Sequence, residues 1–159
     1  MQDTIGTWSI RGTVTVSAAT PKTAVQYAAS STNTAEVLAF NISQSGSTTS
    51  AMDRVMLIRK SAGATVTAGA TGTSVYDWSG GAGTFRGTLG TAATGINASA
   101  EGTDTDIPWS FAFNTLAGYE WNAQPDMRLW VPVSGIVALK ISAIVAATYD
   151  VILVLREFK

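Results

Sequence analysis

Two apolar runs near the end of the chain, residues 136–145 and 149–159, constrain its fold more than any other stretch. Both are rich in β-branched residues and leucine, which suit a pleated, half-buried surface better than a helix. In each run apolar residues recur at every second position, as expected of strands that bury one face. Because only a short link separates the runs, they are predicted to pair as a long antiparallel hairpin, which needs a further sheet to cover it.

The rest of the chain predicts more short strands, separated by turns rich in Gly, Pro, Ser and Asn. The clearest are residues 11–17, 36–43, 53–59 and 107–113, and the second and third are predicted to pair with each other. For residues 53–59 a helix is the competing interpretation. No apolar period of three to four residues is sustained, so we expect little helix. Eight or nine short antiparallel strands without helical crossovers predict an all-β protein, a β-sandwich of the jelly-roll type.

The chain of 159 residues is most simply a single domain, residues 1–159, with residues 1–9 as an extended arm. Residues 79–83 (Ser-Gly-Gly-Ala-Gly) predict a break in regular structure. Small polar residues dominate residues 91–106, which predict a long surface loop. In strand 36–43, alternation predicts that Leu38 points inward with Phe40 and Ile42.

The composition excludes several classes of function. The chain has no histidine and no cysteine, so it lacks the residues for Ser-His-Asp or Cys-His catalysis and for thiolate or imidazole metal sites. We therefore expect no enzymatic activity, no catalytic residue, no metal and no cofactor. A net charge of −1, with scattered basic residues, predicts no nucleic-acid partner and no anionic membrane partner.

Membrane insertion and secretion are also not expected. The apolar stretch 135–155 is long enough to consider as a membrane helix, but Lys140 and Asp150 fall inside it and its residue types favour strands. The first residues lack a basic region followed by an apolar region, so we expect no signal peptide and synthesis in the host cytoplasm.

Carboxylates give two candidate sites. Glu101, Asp104 and Asp106 lie close together in the acidic stretch 101–106, which could bind a hard cation such as calcium, although a solvated acidic loop is the favoured interpretation. A glycosidase needs two carboxylates across a cleft. Four carboxylates could supply such a pair, but nothing in the sequence places any two together: Asp77, Glu101, Glu120 and Asp126.

The five tryptophans could pack in the core or recognise a ligand, because an aromatic face stacks on sugar rings and anchors protein interfaces. Trp109 and Trp130 alternate with apolar neighbours and are predicted to lie in the core. Trp8, Trp78 and Trp121 lie at the edges of predicted loops and are the possible recognition residues.

The last run is apolar on both faces, with Ile152, Val154 and Phe158 opposite Leu153 and Leu155. A strand apolar on both faces needs a second cover besides its own core. We therefore predict that Ile152, Val154 and Phe158 lie at or near a subunit interface. The competing interpretation is that the first two face the opposite sheet of their own subunit, while the leucines point outward.

Residues 128–135 (Arg-Leu-Trp-Val-Pro-Val-Ser-Gly), with the strand that ends near Val145 and the run 149–157, resemble small jelly-roll decoration (cement) proteins of tailed bacteriophages. Those proteins sit on the outside of icosahedral capsids, often as trimers. The resemblance implies a structural virion protein that stabilises the capsid as a homo-oligomer, a trimer, and binds the major capsid protein. The alternative is a carbohydrate- or receptor-binding module of a phage fibre or tail tip, which shares this architecture.

Overall fold

The computed structural model describes residues 4–46, 50–78 and 84–159. These residues form twelve β-strands and one short 3-10 helix at Pro125–Met127, with no α-helix among them. The strands are β1 (Thr4–Val16), β2 (Lys22–Ala28), β3 (Thr34–Ser45), β4 (Met52–Ala62), β5 (Thr65–Ala68), β6 (Val75–Asp77), β7 (Gly95–Ala100), β8 (Thr103–Asn114), β9 (Tyr119–Asn122), β10 (Leu129–Val131), β11 (Ile136–Ser142) and β12 (Ala147–Phe158). The predicted all-β class is confirmed.

The strands form two antiparallel sheets that pack against each other, which confirms the predicted β-sandwich. Sheet I has the order β10-β3-β12-β1-β6, with β9 also paired to β3, and sheet II has the order β5-β7-β2-β11-β4-β8. Twelve strands exceed the eight or nine predicted, because β7 lies in the predicted loop 91–106, and β9 and β10 have only three or four residues and show little alternation. The jelly-roll type stays a prediction.

The predicted hairpin between the last two long strands is wrong. β11 lies inside sheet II between β2 and β4, whereas β12 lies inside sheet I between β1 and β3. The predicted pairing of β3 with β4 is wrong for the same reason, since β3 belongs to sheet I and β4 to sheet II. β1 to β4 alternate between the two sheets, and β11 and β12 lie in different sheets, so a short link between two strands does not make them neighbours in a sheet.

β12 shows how the core is built between the sheets. Val151, Leu153 and Leu155 are at most 1% exposed, while Ile152 and Val154 are half-buried on the outer face. The leucines therefore point inward, and the interpretation that Ile152 and Val154 face the opposite sheet is wrong. Burial of a leucine-sized side chain stabilises the fold by about 1.5–3 kcal/mol, so this strand is a main contributor to stability.

A β-bulge in β3 corrects the predicted orientation of Leu38. Val154 and Leu155 of β12 pair with Ala39 and Val37, so Leu38 is an extra residue in β3. A bulge shifts the alternation of inward-facing and outward-facing side chains by one residue. Val37 is therefore buried and Leu38 lies half-buried on the outer face, beside Val154, instead of pointing inward.

Two predictions about chain segments, the arm and the long loop, can be compared with the structure. Residues 4–9 belong to β1, which pairs with β12 along its length, so the arm predicted for residues 1–9 is wrong over that range. Residues 1–3 and the predicted break at 79–83 lie outside the described residues. The loop predicted for residues 91–106 is also wrong, because it contains β7 and the start of β8. In the described ranges, no helix is long and apolar enough to span a membrane.

Candidate binding surface on the outer face of sheet I

A groove of about 570 Å³ runs over the outer face of sheet I. Ile152 and Val154 of β12 form its floor, together with Ala39 of β3. Trp78, directly after β6, forms one wall, and Asn122 at the end of β9 lies on the opposite side. The volume falls within the roughly 300–1,000 Å³ typical of ligand pockets.

Trp78 is held rigidly at the edge of the groove although its side chain is 66% exposed. Its backbone N–H donates to the Thr7 carbonyl oxygen at 2.8 Å. Its indole Nε1–H donates to Ser9 Oγ at 2.9 Å, and Ser9 is only 2% exposed. The indole is therefore fixed against β1 with its one donor satisfied, and a large part of the ring remains open to solvent.

Polar side chains lie across the groove from Trp78. Asn122 Nδ2 donates to Glu120 Oε1 at 2.8 Å, and both residues are exposed. Asn41 of β3 pairs in register with Glu120 on one side and with Ile152 on the other. The groove thus combines an aromatic wall, an apolar floor and a wall of amide and carboxylate groups.

An ion trio lies beside the groove. Glu36 Oε1 is 3.0 Å from Arg128 Nη1 and 3.3 Å from Arg156 Nη1. Arg156 lies between Val154 and Phe158 on the outer face of β12, since side chains on one face recur at every second residue. The trio therefore lies between the groove, which Arg128 also lines, and the end of the strand.

An aromatic stack occupies that end of sheet I. The rings of Trp130 and Phe158 are stacked, with centroids 5.5 Å apart and an interplanar angle of 29°. Trp130 is 39% exposed, so its predicted place in the core is wrong; its β10 neighbours Leu129 and Val131 are buried instead. The exposed Val133 follows in the chain. Phe158, a predicted interface residue, therefore belongs to a partly exposed apolar surface.

The other predicted recognition residues point into the sandwich. Trp8 is 2% exposed because it shares the inner face of β1 with Ile10, so its predicted exposure is wrong. Trp121 is half-buried and stacks on Phe40 with ring centroids 5.3 Å apart. Trp109 packs against the core, as predicted. Of the three candidates, Trp78 alone presents most of its side chain to solvent.

A second charged cluster lies on sheet II and accounts for most of the acidic stretch. Lys60 Nζ is 2.7 Å from Asp104 and 3.4 Å from Glu101, and Lys140 Nζ is 2.7 Å and 3.2 Å from the same two carboxylates. Glu101 also accepts hydrogen bonds from the backbone and hydroxyl of Thr23. The two carboxylates are thus ion-paired, unlike those of the solvated loop predicted, and no metal-binding group of acidic residues occurs in the described ranges.

The cluster predicts how stability depends on pH. Burial alone would raise the pKa of Glu101, but hydrogen bonds from Thr23 and the charge of Lys140 hold it below its ordinary value. Burial is likewise outweighed at Asp104, whose pKa is lowered by Lys140 and Lys60. Since the unfolded chain binds these protons more readily, this stabilisation is present above the unfolded pKa of about 4 and is lost as the pH falls through the lower folded values.

We expect Asp104→Asn to destabilise the domain by about 1–2 kcal/mol at pH 7, because Lys60, whose side chain is fully buried, loses its nearest carboxylate. The deficit should shrink as the pH falls below the ordinary aspartate pKa of about 4 and the wild-type carboxylate becomes protonated. Urea unfolding at several pH values measures both effects. Asp106→Asn is the control, since Asp106 is exposed and 3.9 Å from Arg59. An equal Asp104→Asn deficit at pH 3 and pH 7 would contradict the prediction.

Glu157 is a buried carboxylate that the sequence analysis did not identify. It is 0% exposed, and its Oε1 accepts from the Tyr27 hydroxyl at 2.9 Å, the Gly87 N–H at 2.7 Å and Asn33 Nδ2 at 3.3 Å. Its Oε2 accepts from the Arg86 N–H at 2.9 Å. Burial raises the pKa of Glu157, while these donors oppose the shift. The carboxylate thus ties β12 to β2 and to the segment that contains Arg86.

Asp53 was also not singled out by the sequence, and it holds the crossing between β11 and β12. It is 1% exposed and accepts the Ile144 N–H at 2.8 Å through Oδ1. Its Oδ2 accepts a short hydrogen bond from the Tyr149 hydroxyl. Burial, together with this hydrogen bond, raises the pKa of Tyr149. Asp53 therefore joins β4 of sheet II to β12 of sheet I.

The carboxylates considered as a glycosidase pair are dispersed over several elements. Glu101 belongs to the cluster on sheet II, Glu120 lies in β9 at the groove on sheet I, and Asp126 lies in the 3-10 helix. Asp77 ends β6.

In comparisons with known proteins, no protein-family model, no curated protein and no solved structure matches this chain.

Proposed function

We propose that this chain is a non-enzymatic structural protein of a virion, a homo-oligomeric capsid decoration protein on the capsid exterior. In this proposal it forms a trimer and binds the major capsid protein. The observation that carries the proposal is the exposed stack of Trp130 and Phe158. Trp130 comes from a segment that resembles phage decoration proteins and Phe158 directly follows another, and their aromatic surface lies on the outside of the sandwich, where a second subunit can cover it.

The stack has the properties of an interface anchor. Tryptophan and other large aromatic residues are enriched among the side chains that contribute most to binding between proteins. Val133 extends the apolar surface beside the stack, since it is 52% exposed. We place the subunit contact at Phe158 and Trp130, with Val154 at its edge beyond the ion trio. Ile152 lies further into the groove and close to the contact.

The strand pairing supports a jelly roll, the architecture of the resembling proteins. β1 pairs with β12, β2 pairs with β11, β3 pairs with β9 and β10, and β4 pairs with β8. The pairs are nested, so that the first strand meets the last and the second meets the next to last. Such nesting is expected when one long hairpin is rolled into two sheets, which is how a jelly roll is built.

The test of the subunit contact is Phe158→Asp. We expect the wild-type protein to be a trimer at micromolar concentration and the variant to be a folded monomer, because a buried unpaired charge opposes association. Analytical ultracentrifugation measures the mass and circular dichroism the fold. Met52→Asp is the matched control, since Met52 is 54% exposed and begins β4. Lys60, which lies near Trp130, is close to the other end of that strand, so Met52 is far from the proposed contact.

Three outcomes would contradict the proposal. If the wild-type protein is a monomer, the proposed homo-oligomer is wrong. If the Phe158→Asp variant is still a trimer, the interface lies elsewhere. A cryo-EM map of virions that contain this chain should show it on the capsid exterior; density only in a tail fibre would favour the alternative module.

Ile152→Asp is expected to stay folded and to weaken the trimer less than Phe158→Asp does, because its side chain lies on the outer face beyond the proposed contact.

A further inference from the structure

We propose that the groove on the outer face of sheet I binds a neutral saccharide, with Trp78 as the stacking surface. This binding activity goes beyond the oligomer and capsid contact proposed above, which is centred on the Trp130–Phe158 stack and shares only its Val154 edge with the groove. The inference is drawn from four features of the groove: its aromatic wall, its polar wall, its balance of charge and its floor.

The aromatic wall suits the apolar face of a sugar ring. The face of an indole is negatively polarised, so it attracts the positively polarised C–H groups that a pyranose ring presents on one side. Trp78 is 66% exposed, and its Nε1–H is already bonded to Ser9 Oγ. The ring therefore needs no further hydrogen bond from a ligand. Because it is fixed before binding, little conformational entropy is lost when a ligand stacks on it.

The polar wall suits the hydroxyl groups on the rim of the same sugar. Asn122 donates one N–H to Glu120 Oε1 at 2.8 Å, which orients both side chains. The amide retains a second N–H donor and its carbonyl acceptor, and the carboxylate retains further acceptor sites. A pair of neighbouring hydroxyls, each both donor and acceptor, matches such an arrangement. Asn41, which also lines the groove, adds another amide.

The charges around the groove favour a neutral ligand over an acidic one. Arg128 and Arg156 each pair Nη1 with Glu36 Oε1, so a carboxylate of the protein offsets part of their charge. Arg128 and Glu120 both line the groove, and Glu120 on the polar wall would repel a carboxylate or sulfate on a ligand. We therefore expect hexoses and N-acetylhexosamines to bind, and sialylated or sulfated sugars to be rejected.

The floor provides apolar contact without closing the site. Val154 and Ile152 are half-buried, and Ala39 between them and the polar wall has too small a side chain to obstruct a ring. A volume of about 570 Å³ lies in the range of small-ligand pockets and is large enough for a short oligosaccharide. A second copy of the chain would need a protruding side chain that fits between Trp78 and Asn122.

The test uses the full chain on a glycan array that carries neutral and acidic oligosaccharides, followed by titration of each bound glycan with tryptophan fluorescence as the readout. We expect at least one neutral oligosaccharide to bind. Trp78→Ala should weaken that binding at least about tenfold, and Asn122→Ala about threefold to tenfold, since each removes a direct contact. Trp78→Phe should retain part of the affinity, because it keeps an aromatic face.

Leu116→Ala is the control, since it removes a side chain that is 58% exposed and lies outside both the groove and the proposed subunit contact, so it should leave saccharide affinity unchanged. Circular dichroism and ultracentrifugation of each variant separate a loss of binding from a loss of fold or assembly. The proposal is overturned if no oligosaccharide binds at millimolar concentration, or if Trp78→Ala binds as tightly as wild type. It is also overturned if Trp78→Ala alters the oligomer without affecting glycan binding, which would identify a neighbouring subunit as the occupant.

Discussion

Replacement of Glu157 by alanine is expected to destabilise the domain by about 4 kcal/mol, because two buried donors and two part-buried donors lose their acceptor at once. The Tyr27 hydroxyl, Asn33 Nδ2 and the backbone N–H groups of Arg86 and Gly87 all donate to this one carboxylate. A buried donor left without a partner costs about 1–3 kcal/mol. Urea denaturation followed by circular dichroism gives the difference in the free energy of unfolding.

Glu157→Gln separates the hydrogen bonds from the packing of the side chain. Glutamine keeps the shape and one acceptor oxygen, but its amide nitrogen must face a donor, so we expect an intermediate loss of about 2 kcal/mol. Lys159→Ala is the control, because the exposed Lys159 is next but one along the strand and should change stability by no more than about 0.5 kcal/mol. A Glu157→Gln protein as stable as wild type would show that the carboxylate is not needed as an acceptor.

Asp53→Ala is expected to cost about 3 kcal/mol, since it leaves the Ile144 N–H and the Tyr149 hydroxyl without their shared acceptor. Tyr149→Phe removes only one hydrogen-bond donor and should cost about 1.5 kcal/mol. Because the two side chains contact each other, the double variant should be less destabilised than the sum of the single variants, by about 1–2 kcal/mol. Thermal and urea unfolding of the four proteins completes the cycle.

Additive effects in this cycle would contradict the assigned contact, because residues that do not interact contribute independently. Arg54→Ala is a suitable control for the strand, as Arg54 is exposed and adjacent to Asp53 in β4. Its double variant with Tyr149→Phe should be additive within about 0.5 kcal/mol. The comparison shows whether the coupling belongs to Asp53 or to β4 in general.

The positions of the long strands could be predicted from the sequence, but their partners could not. Alternation of apolar residues in β3, β4, β8, β11 and β12 is a local property, so it is visible in a single chain. Which strands pair is decided by how the two sheets cover each other. The rule that neighbours in sequence form hairpins predicted β11 beside β12, whereas both strands gain more burial at the centre of opposite sheets.

The candidate site was predicted only in part, for two physical reasons. Trp78 was identified because it precedes a glycine-rich stretch, which places it at the edge of an element. Trp8 and Trp130 were assigned to the wrong environments because exposure depends on strand phase, and β1 begins earlier than its clearest alternation indicates. The groove also needs the bulge at Leu38 and the position of β9, and both follow from tertiary packing.

The buried carboxylates had a signal in the sequence that was not used. Glu157 has the same strand phase as Leu153 and Leu155, and Asp53 has the same phase as Val55 and the strand residues after it. An acidic residue in phase with core residues must find hydrogen-bond donors inside the protein. The sequence could therefore have indicated two buried acceptors, although their partners come from distant parts of the chain.

The pairing of β1 with β12 also determines when this protein can fold. The side chains of Thr13 and Asp150, which are hydrogen-bonded across that pair, are 137 residues apart in the chain. The long strand next to β1 in sheet I is β12. The centre of sheet I therefore cannot form until residues up to β12 have left the ribosome. Until then β1 and β3 expose strand edges that β12 will occupy. Refolding dominated by such distant contacts is expected on a scale of milliseconds to seconds, with aggregation as its main competitor.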